Sequence, residues 1–253
     1  MMLALASAKG APGVTSSGLV LAAGWPRPVV LVEADPSGGD LALRCRSTAD
    51  GPIEPAPNLL GLAATARSNT SGRMAELAQE LACGVRLVQG VTSPAQGRGL
   101  GALWPAIADL LAAADVDVIA DLGRLDATAA HLPVATASDQ LLLVCGASVD
   151  SVHHLRTLVS DLVDHRTVGV LASRIRPLLI GAARHGEADR RDVDELMAAT
   201  QIPVAACAHL PLDHPALLGL EDGGGRGLSR SLLLRSARGL ADQLAGTTEQ
   251  APA

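Results

Sequence analysis

The sequence predicts an α/β fold in which helices flank a doubly wound, mostly parallel sheet. Apolar segments rich in Val, Leu and Ile alternate along the chain with segments whose apolar residues recur every three to four positions. Several of the apolar segments are nearly unbroken, as strands buried on both faces of a parallel sheet require. Strands that alternate with helices in this way are connected by right-handed crossovers.

In chain order, seven apolar segments predict strands: 2–7, 29–33, 85–91, 116–121, 140–145, 168–172 and 204–208. Amphipathic spacing predicts helices between and after them: 15–23, 72–81, 100–113, 127–137, 151–163, 190–199 and 229–244. Two stretches rich in Pro, Gly or small polar residues predict loops, 47–58 and 220–227.

The chain length of 253 residues, 48% of them hydrophobic, suits one large domain, although two small domains are also compatible with it. No internal repeat or low-complexity linker interrupts the sequence. We therefore predict a single domain over 1–245, followed by a disordered polar tail over 246–253.

Charge and composition argue against several kinds of partner. The net charge is -6, the arginines are scattered among carboxylates, and the chain has no Phe or Tyr on which nucleic-acid bases could stack. No apolar run approaches the length of a membrane span. The four cysteines lie far apart, without zinc-binding or CxxC spacing. We expect a cytoplasmic protein with reduced thiols that does not bind nucleic acid specifically.

The segment from Ser7 to Ser16, SAKGAPGVTS, follows an apolar strand and opens a helix. In this context small residues let backbone N–H groups converge on an anion at the positive end of the helix, and the first hydroxyl of the helix can bind Mg²⁺. Thr15 supplies that hydroxyl, and Lys9 is the only lysine of the chain. The alternative is that Lys9 is an ordinary surface residue.

This loop resembles the deviant Walker A motif, KGGxGK[ST], of the MinD/ParA ATPases, which belong to the SIMIBI class of P-loop NTPases. Lys9 matches the signature lysine, but Val14 replaces the lysine that contacts the β and γ phosphates. The resemblance implies bound ATP and Mg²⁺, and an ATP-bound homodimer in which Lys9 reaches the partner's phosphates. The implied binding residues are Lys9, Gly10, Ala11, Pro12, Gly13, Val14, Thr15 and Ser16.

The loss of one charge-assisted contact at Val14 predicts roughly ten- to hundredfold weaker nucleotide binding. Hydrolysis should suffer more than binding, because the missing lysine would stabilise charge on the transferred phosphoryl group.

Two acidic segments after strands resemble the switch motifs of the same family. Asp35, in EADPSG, matches the switch I carboxylate that orients the attacking water, and Asp121, in DLG, matches the Walker B carboxylate. The resemblance assigns catalysis to Asp35 with Lys9, and Mg²⁺ binding to Thr15, Asp35 and Asp121. A simple turn that needs Pro and Gly is the alternative for the first segment.

The resemblance also implies a site for the base. Ser173 and Arg174 fall where the family has an adenine-reading Asn followed by a basic residue. Pro211, Leu212 and Asp213 resemble the late proline loop that covers the base. Because Ser173 replaces the Asn, the base specificity stays open.

Two functions therefore compete. The first is an ATP-binding switch for partitioning or cellular positioning with weak or absent hydrolysis, similar to the CpaE/TadZ positioning proteins. The second is a scaffold of the same fold that acts through protein contacts without nucleotide, in a pilus or secretion system. Either function implies an unidentified protein partner. Segment 229–244 is interpreted as a packing helix, so attachment to a membrane would be peripheral, through that partner.

Overall fold

The computed structural model describes residues 1–9, 13–68, 74–164, 169–225 and 227–249. Its strands form one eight-stranded sheet with the order β3-β4-β2-β5-β1-β6-β7-β8. All neighbouring strands are parallel except β3 and β4. The strands are β1 Met2–Ser7, β2 Val29–Glu33, β3 Gln79–Glu80, β4 Arg86–Val88, β5 Asp117–Arg124, β6 Gln140–Gly146, β7 Ile175–Gly181 and β8 Ala208–Pro211.

Ten α-helices connect and flank these strands within the described residues: α1 Val14–Gly24, α2 Leu41–Arg44, α3 Leu59–Ser68, α4 Pro94–Leu100, α5 Trp104–Ala112, α6 Leu132–Ala137, α7 Val149–Asp164, α8 Gly186–Ala198, α9 His214–Glu221 and α10 Leu232–Glu249. Each of these helices is too short or too polar to cross a bilayer.

The sheet has an apolar core on each face. Met2, Ala4 and Ala6 of β1 belong to the core that also holds buried residues of α3 and α5–α8. Leu3 and Leu5 point to the other face, where α1, α9 and α10 pack. Because successive side chains of a strand alternate between faces, a central strand covered on both sides must be apolar throughout. This confirms the predicted doubly wound sheet.

Two predicted elements are wrong. Residues 169–172 of the strand predicted over 168–172 lie in the 3-10 helix Gly169–Arg174, and the strand begins at Ile175 instead. In the region 72–81, Met74–Leu77 is a single 3-10 turn followed by β3, not an α-helix. Residues 72, 73 and 168 lie outside the described part of the chain.

Other boundaries also move. The strand predicted over 204–208 is observed as β8, three to four residues later. The short helices α2, α3, α4 and α9 were not predicted. Helix α10 continues to Glu249, so the predicted tail over 246–253 begins inside a helix. Residues 250–253 lie outside the described residues.

Candidate functional site

The candidate site lies at the carboxyl edge of the sheet, where β1, β2 and β5 end side by side. Asp121 of β5 is in register with Leu5 of β1 and with Glu33 of β2. The loop after β1 carries Lys9, and Asp35 follows β2 by two residues. The topology therefore brings the three predicted motifs to one edge, where open α/β sheets bind their ligands.

Helix α1 begins at this edge with groups suited to an anion. Gly13 precedes it with a φ of 107°, a left-handed conformation that favours glycine. The first turn of α1 contains no acidic residue, and no side chain caps it. Its leading N–H groups therefore remain available at the positive end of the helix dipole. Lys9 is exposed nearby in sequence, whereas Gly10, Ala11 and Pro12 lie outside the described residues.

The Thr15 side chain lies next to the carboxylate of Asp121 and lowers the pKa of that carboxyl. Asp121 is only 2% exposed. Burial raises its pKa to about 7, and the nearby charges of Glu33 and Asp35 act in the same direction, while Thr15 and the bond from the Gly123 N–H oppose it. The Gly123 N–H donates over 2.9 Å. A buried carboxylate beside other carboxylates is stabilised by a cation.

Asp35 is partly buried and lies close to Gly123. Its Oδ1 accepts a hydrogen bond of 2.7 Å from the Ser37 N–H, which fixes the side chain at the start of the turn. One carboxylate oxygen of Asp35 thus has a structural task. The contact with Gly123 joins the segment after β2 to the end of β5.

Glu33 is a buried residue of the site, with a positioning role that the motif comparison did not single out. Its Oε1 accepts bonds of 2.9 Å from the N–H groups of Asp40 and Leu41, and its Oε2 accepts one of 3.0 Å from Gly90. Burial raises the pKa of this carboxyl, and the three N–H donors oppose that shift. Glu33 therefore holds the loop before α2 against the end of β4. The only sequence signal was an acidic residue that ends an apolar strand.

The fit to Mg²⁺ depends on Thr15 and Asp121. The described residues contain no cluster of three or more His, Cys, Asp or Glu side chains that could hold a metal. Mg²⁺, however, commonly keeps several waters and binds one or two carboxylates together with substrate phosphates. A hydroxyl, a buried carboxylate and the nearby Asp35 fit that kind of site.

An open groove extends from the start of α1 to β8 and α9. The predicted base-loop residues Pro211, Leu212 and Asp213 line it together with Gly13 and Ser16. Asp213 also caps α9, because its Oδ1 accepts a bond of 3.1 Å from the Ala216 N–H. The remaining lining residues are Ser17, Val20, Ile180, Leu210, His214, Leu217 and Leu233.

Ser173 and Arg174 are not brought to this groove. Both precede β7 and therefore lie at the amino edge of the sheet, where Arg174 Nη1 donates to the Ser138 carbonyl over 3.3 Å. Ser138 likewise precedes β6. The prediction for these two residues followed from placing the strand too early. The carboxyl end of β7 is Gly181, and Ala182 follows it without any base-reading amide.

Val14 is 6% exposed and belongs to the apolar core on the α1 face of the sheet. The position that matches the phosphate-binding lysine therefore carries a buried aliphatic side chain. Any positive charge for a phosphate must come from another residue.

No protein-family model matches this sequence, and no curated protein matches it. Its structure is similar to a ParA family ATPase from Chlorobium tepidum TLS, with 16% identity over 95% of this chain and 98% of that one and a TM-score of 0.71. The septum site-determining protein MinD of Pyrococcus horikoshii OT3, complexed with Mg-ADP, is 16% identical over 99% of both chains, with a TM-score of 0.65.

A third similar structure is cobyrinic acid a,c-diamide synthase from Mycobacterium smegmatis with a bound ATP analogue and magnesium. It is 19% identical over 98% of this chain and 96% of that one, with a TM-score of 0.62. At such identities the likeness establishes the fold, which is that of the MinD/ParA P-loop ATPases. Because a synthase shares that fold, the function must be argued from the site.

Proposed function

We propose that this chain is a MinD/ParA-like molecular switch that binds Mg²⁺-ATP and hydrolyses it weakly or not at all. The observation that carries the proposal is the position of the Thr15 side chain next to the buried carboxylate of Asp121, beside the uncapped start of α1. A hydroxyl and a carboxylate side by side at the amino end of a helix form a site for a phosphate with its metal ion.

Each residue then has a specific task. The leading N–H groups of α1 and the Lys9 ammonium bind the phosphates, while Gly10, Ala11 and Pro12 complete the loop by sequence prediction alone. Thr15 and Asp121 hold Mg²⁺, which supplies positive charge beside the phosphates when bound. Asp35 positions water. Pro211, Leu212 and Asp213 border the base in the open groove, where backbone groups and aliphatic side chains hold it.

Weak turnover is proposed because of Val14. The helix start and the Mg²⁺ site do not need a charge at that position, but stabilisation of a transferred phosphoryl group does. A buried valine in the apolar core supplies no such charge, which supports slow or absent hydrolysis.

For the cellular role we propose partitioning or positioning, with a homodimer in the ATP-bound state and one further protein partner. The similar structures include a ParA family ATPase and a septum site-determining MinD, which is the basis for proposing this role, although a synthase shares the same fold. We propose a cytoplasmic location, without specific nucleic-acid binding or direct membrane binding.

The second candidate is a scaffold that binds no nucleotide and acts through protein contacts. One observation favours it: the position of the phosphate-binding lysine is a core valine, 6% exposed. The two candidates differ in whether the site at Thr15 and Asp121 accepts a ligand.

Calorimetric titration and thermal melting with Mg²⁺-ATP separate the two candidates. A ligand at one hundred times its dissociation constant stabilises the folded state by about 2.7 kcal/mol. We expect this stabilisation in the parent protein, its loss in Thr15→Val, and its retention in Thr157→Val on the distant helix α7. No heat and no change in melting temperature at millimolar nucleotide would establish the scaffold instead.

A further inference from the structure

Arg44, the last residue of α2, connects the segment after β2 to the start of α1. Its Nη2 donates to the Ser16 hydroxyl over 2.9 Å and forms an ion pair with the Glu221 carboxylate. Ser16 lies in the first turn of α1 and lines the open groove, and Glu221 is the last residue of α9. One guanidinium nitrogen thus joins three helices at the rim of the groove.

The guanidinium is fixed but only partly used. The Glu221 side chain is 8% exposed, whereas the Arg44 side chain is 32% exposed. Both contacts use Nη2, and Nε and Nη1 of Arg44 meet no acceptor among the described residues. An arginine presents five N–H donors in a rigid planar fork. Arg44 therefore keeps N–H groups on Nε and Nη1 for further acceptors, although these two nitrogens share no edge because both donor edges of a guanidinium include Nη2.

We propose that Arg44 binds the phosphate chain of the nucleotide and supplies the positive charge that Val14 does not. The inference rests on the proposed nucleotide binding. A guanidinium one hydrogen bond away from Ser16 lies beside the first turn of α1, where the phosphates bind in that proposal. Guanidinium–phosphate contacts are charge-assisted, and Nε or Nη1 of Arg44 can each make a single contact of this kind. Glu221 holds Arg44 in place and partly neutralises it, so the site binds phosphate less tightly than a free cation would.

The test compares Arg44→Gln, Arg44→Lys and the matched control Arg46→Gln. Arg46 is two residues away, exposed, and paired only with Asp50 within the described part of the chain. Titration with Mg²⁺-ATP should show roughly ten- to hundredfold weaker binding for Arg44→Gln, partial recovery for Arg44→Lys, and no change for Arg46→Gln. Adenosine should bind parent and Arg44→Gln equally, because it has no phosphate.

The dependence of ATP affinity on ionic strength distinguishes a charge contact of Arg44 with phosphate from a purely structural role of Arg44. The decrease of ATP affinity with ionic strength should be shallower for Arg44→Gln than for the parent. Glu221→Gln removes the competing carboxylate and should bind ATP at least as tightly as the parent. Two results would contradict the proposal: Arg44→Gln binds ATP like the parent, or Glu221→Gln weakens ATP binding as much as Arg44→Gln does. In either case Arg44 only joins α2 to α1 and α9 and does not bind phosphate.

These outcomes also separate this inference from the proposed function. If the parent binds ATP and Arg44→Gln binds it equally, only the role of Arg44 fails. If the parent itself binds no nucleotide, the proposed function fails and the role of Arg44 fails with it.

Discussion

Gly123 and Asp35 are in direct contact across the site: a β-carbon on residue 123 would overlap Oδ2 of Asp35. Gly123 also has a φ of 59°, in the left-handed region. Both the conformation and the close approach therefore exclude a side chain here. This contact couples the end of β5 to the turn after β2, so a change at either residue affects the other.

We expect Gly123→Ala to displace Asp35 and to destabilise the fold by roughly 1–3 kcal/mol, because alanine combines a left-handed strain with a clash. Urea denaturation measures the loss, and titration with Mg²⁺-ATP should show weaker binding. The matched control is Gly239→Ala in α10, where a β-carbon meets nothing within 4 Å. That control should stabilise the protein by about 0.5–1 kcal/mol. If Gly123→Ala and Gly239→Ala unfold with the same free energy, position 123 does not require glycine for its contact with Asp35.

The second prediction concerns pH in the absence of Mg²⁺. Asp121 has an ordinary pKa of 3.8, and burial raises it to about 7 in the folded protein. Between these values the folded state binds more protons than the unfolded state. The free energy of unfolding therefore falls as the pH rises from about 4 to about 7, and this contribution is constant above that range. The raised pKa of Glu33 contributes in the same direction.

Asp121→Asn isolates this contribution, because asparagine does not titrate and can still accept the bond from the Gly123 N–H. With EDTA present, the decrease in unfolding free energy between pH 5 and pH 8 should be smaller in Asp121→Asn by roughly 2–3 kcal/mol. Addition of Mg²⁺ should reduce the pH dependence of the parent but not of the variant. A variant with the same pH profile as the parent would refute the raised pKa.

The sequence predicted the parts of the site that depend on local patterns. The ends of β1, β2 and β5 followed from unbroken apolar runs, and these ends place Lys9, Asp35 and Asp121 at one edge. The error at Ser173 and Arg174 has a local cause. The strand β7 contains Arg176 and Pro177, so it is less apolar than the run before it, which the structure uses for a 3-10 helix.

Pro177 is tolerated in β7 because its pairing with β8 begins only at Leu178. The roles of Glu33 and Arg44 could not be predicted for another reason. Glu33 bonds to Gly90, 57 residues away, and Arg44 pairs with Glu221, 177 residues away. No periodicity or motif encodes contacts at such separations, which appear only when the chain is folded.

The third prediction concerns Lys9, which is exposed on the loop after β1. If Lys9 reaches the phosphates bound by a second copy, Lys9→Ala should abolish association that depends on Mg²⁺-ATP. Its melting temperature without nucleotide should stay that of the parent, because an exposed side chain contributes little to stability. Sedimentation velocity with and without Mg²⁺-ATP measures the association, with Arg98→Ala on α4 as a control for loss of an exposed positive charge. An unchanged profile in Lys9→Ala would remove this residue from the dimer contact.

The last prediction addresses Val14, the first residue of α1. A lysine at this position starts beside the uncapped N–H groups, and its long stem can extend along the apolar core to place the ammonium outside it. Val14→Lys should therefore bind Mg²⁺-ATP about tenfold or more tightly than the parent. Val14→Met is the matched control, since it adds an unbranched side chain without charge and should bind like the parent. Hydrolysis, measured as phosphate release, should rise from near zero only in Val14→Lys.

The double variant Val14→Lys with Asp35→Ala separates tighter phosphate binding from the positioning of water. It should keep the improved affinity and lose the added hydrolysis, because Asp35 acts only on the attacking water in this scheme. Val14 packs in the apolar core, so the lysine also costs stability, and melting without nucleotide measures that cost. A folded Val14→Lys that binds ATP no better than Val14→Met would show that the start of α1 is not arranged to hold phosphate. The scaffold function would then explain this site better than a nucleotide switch.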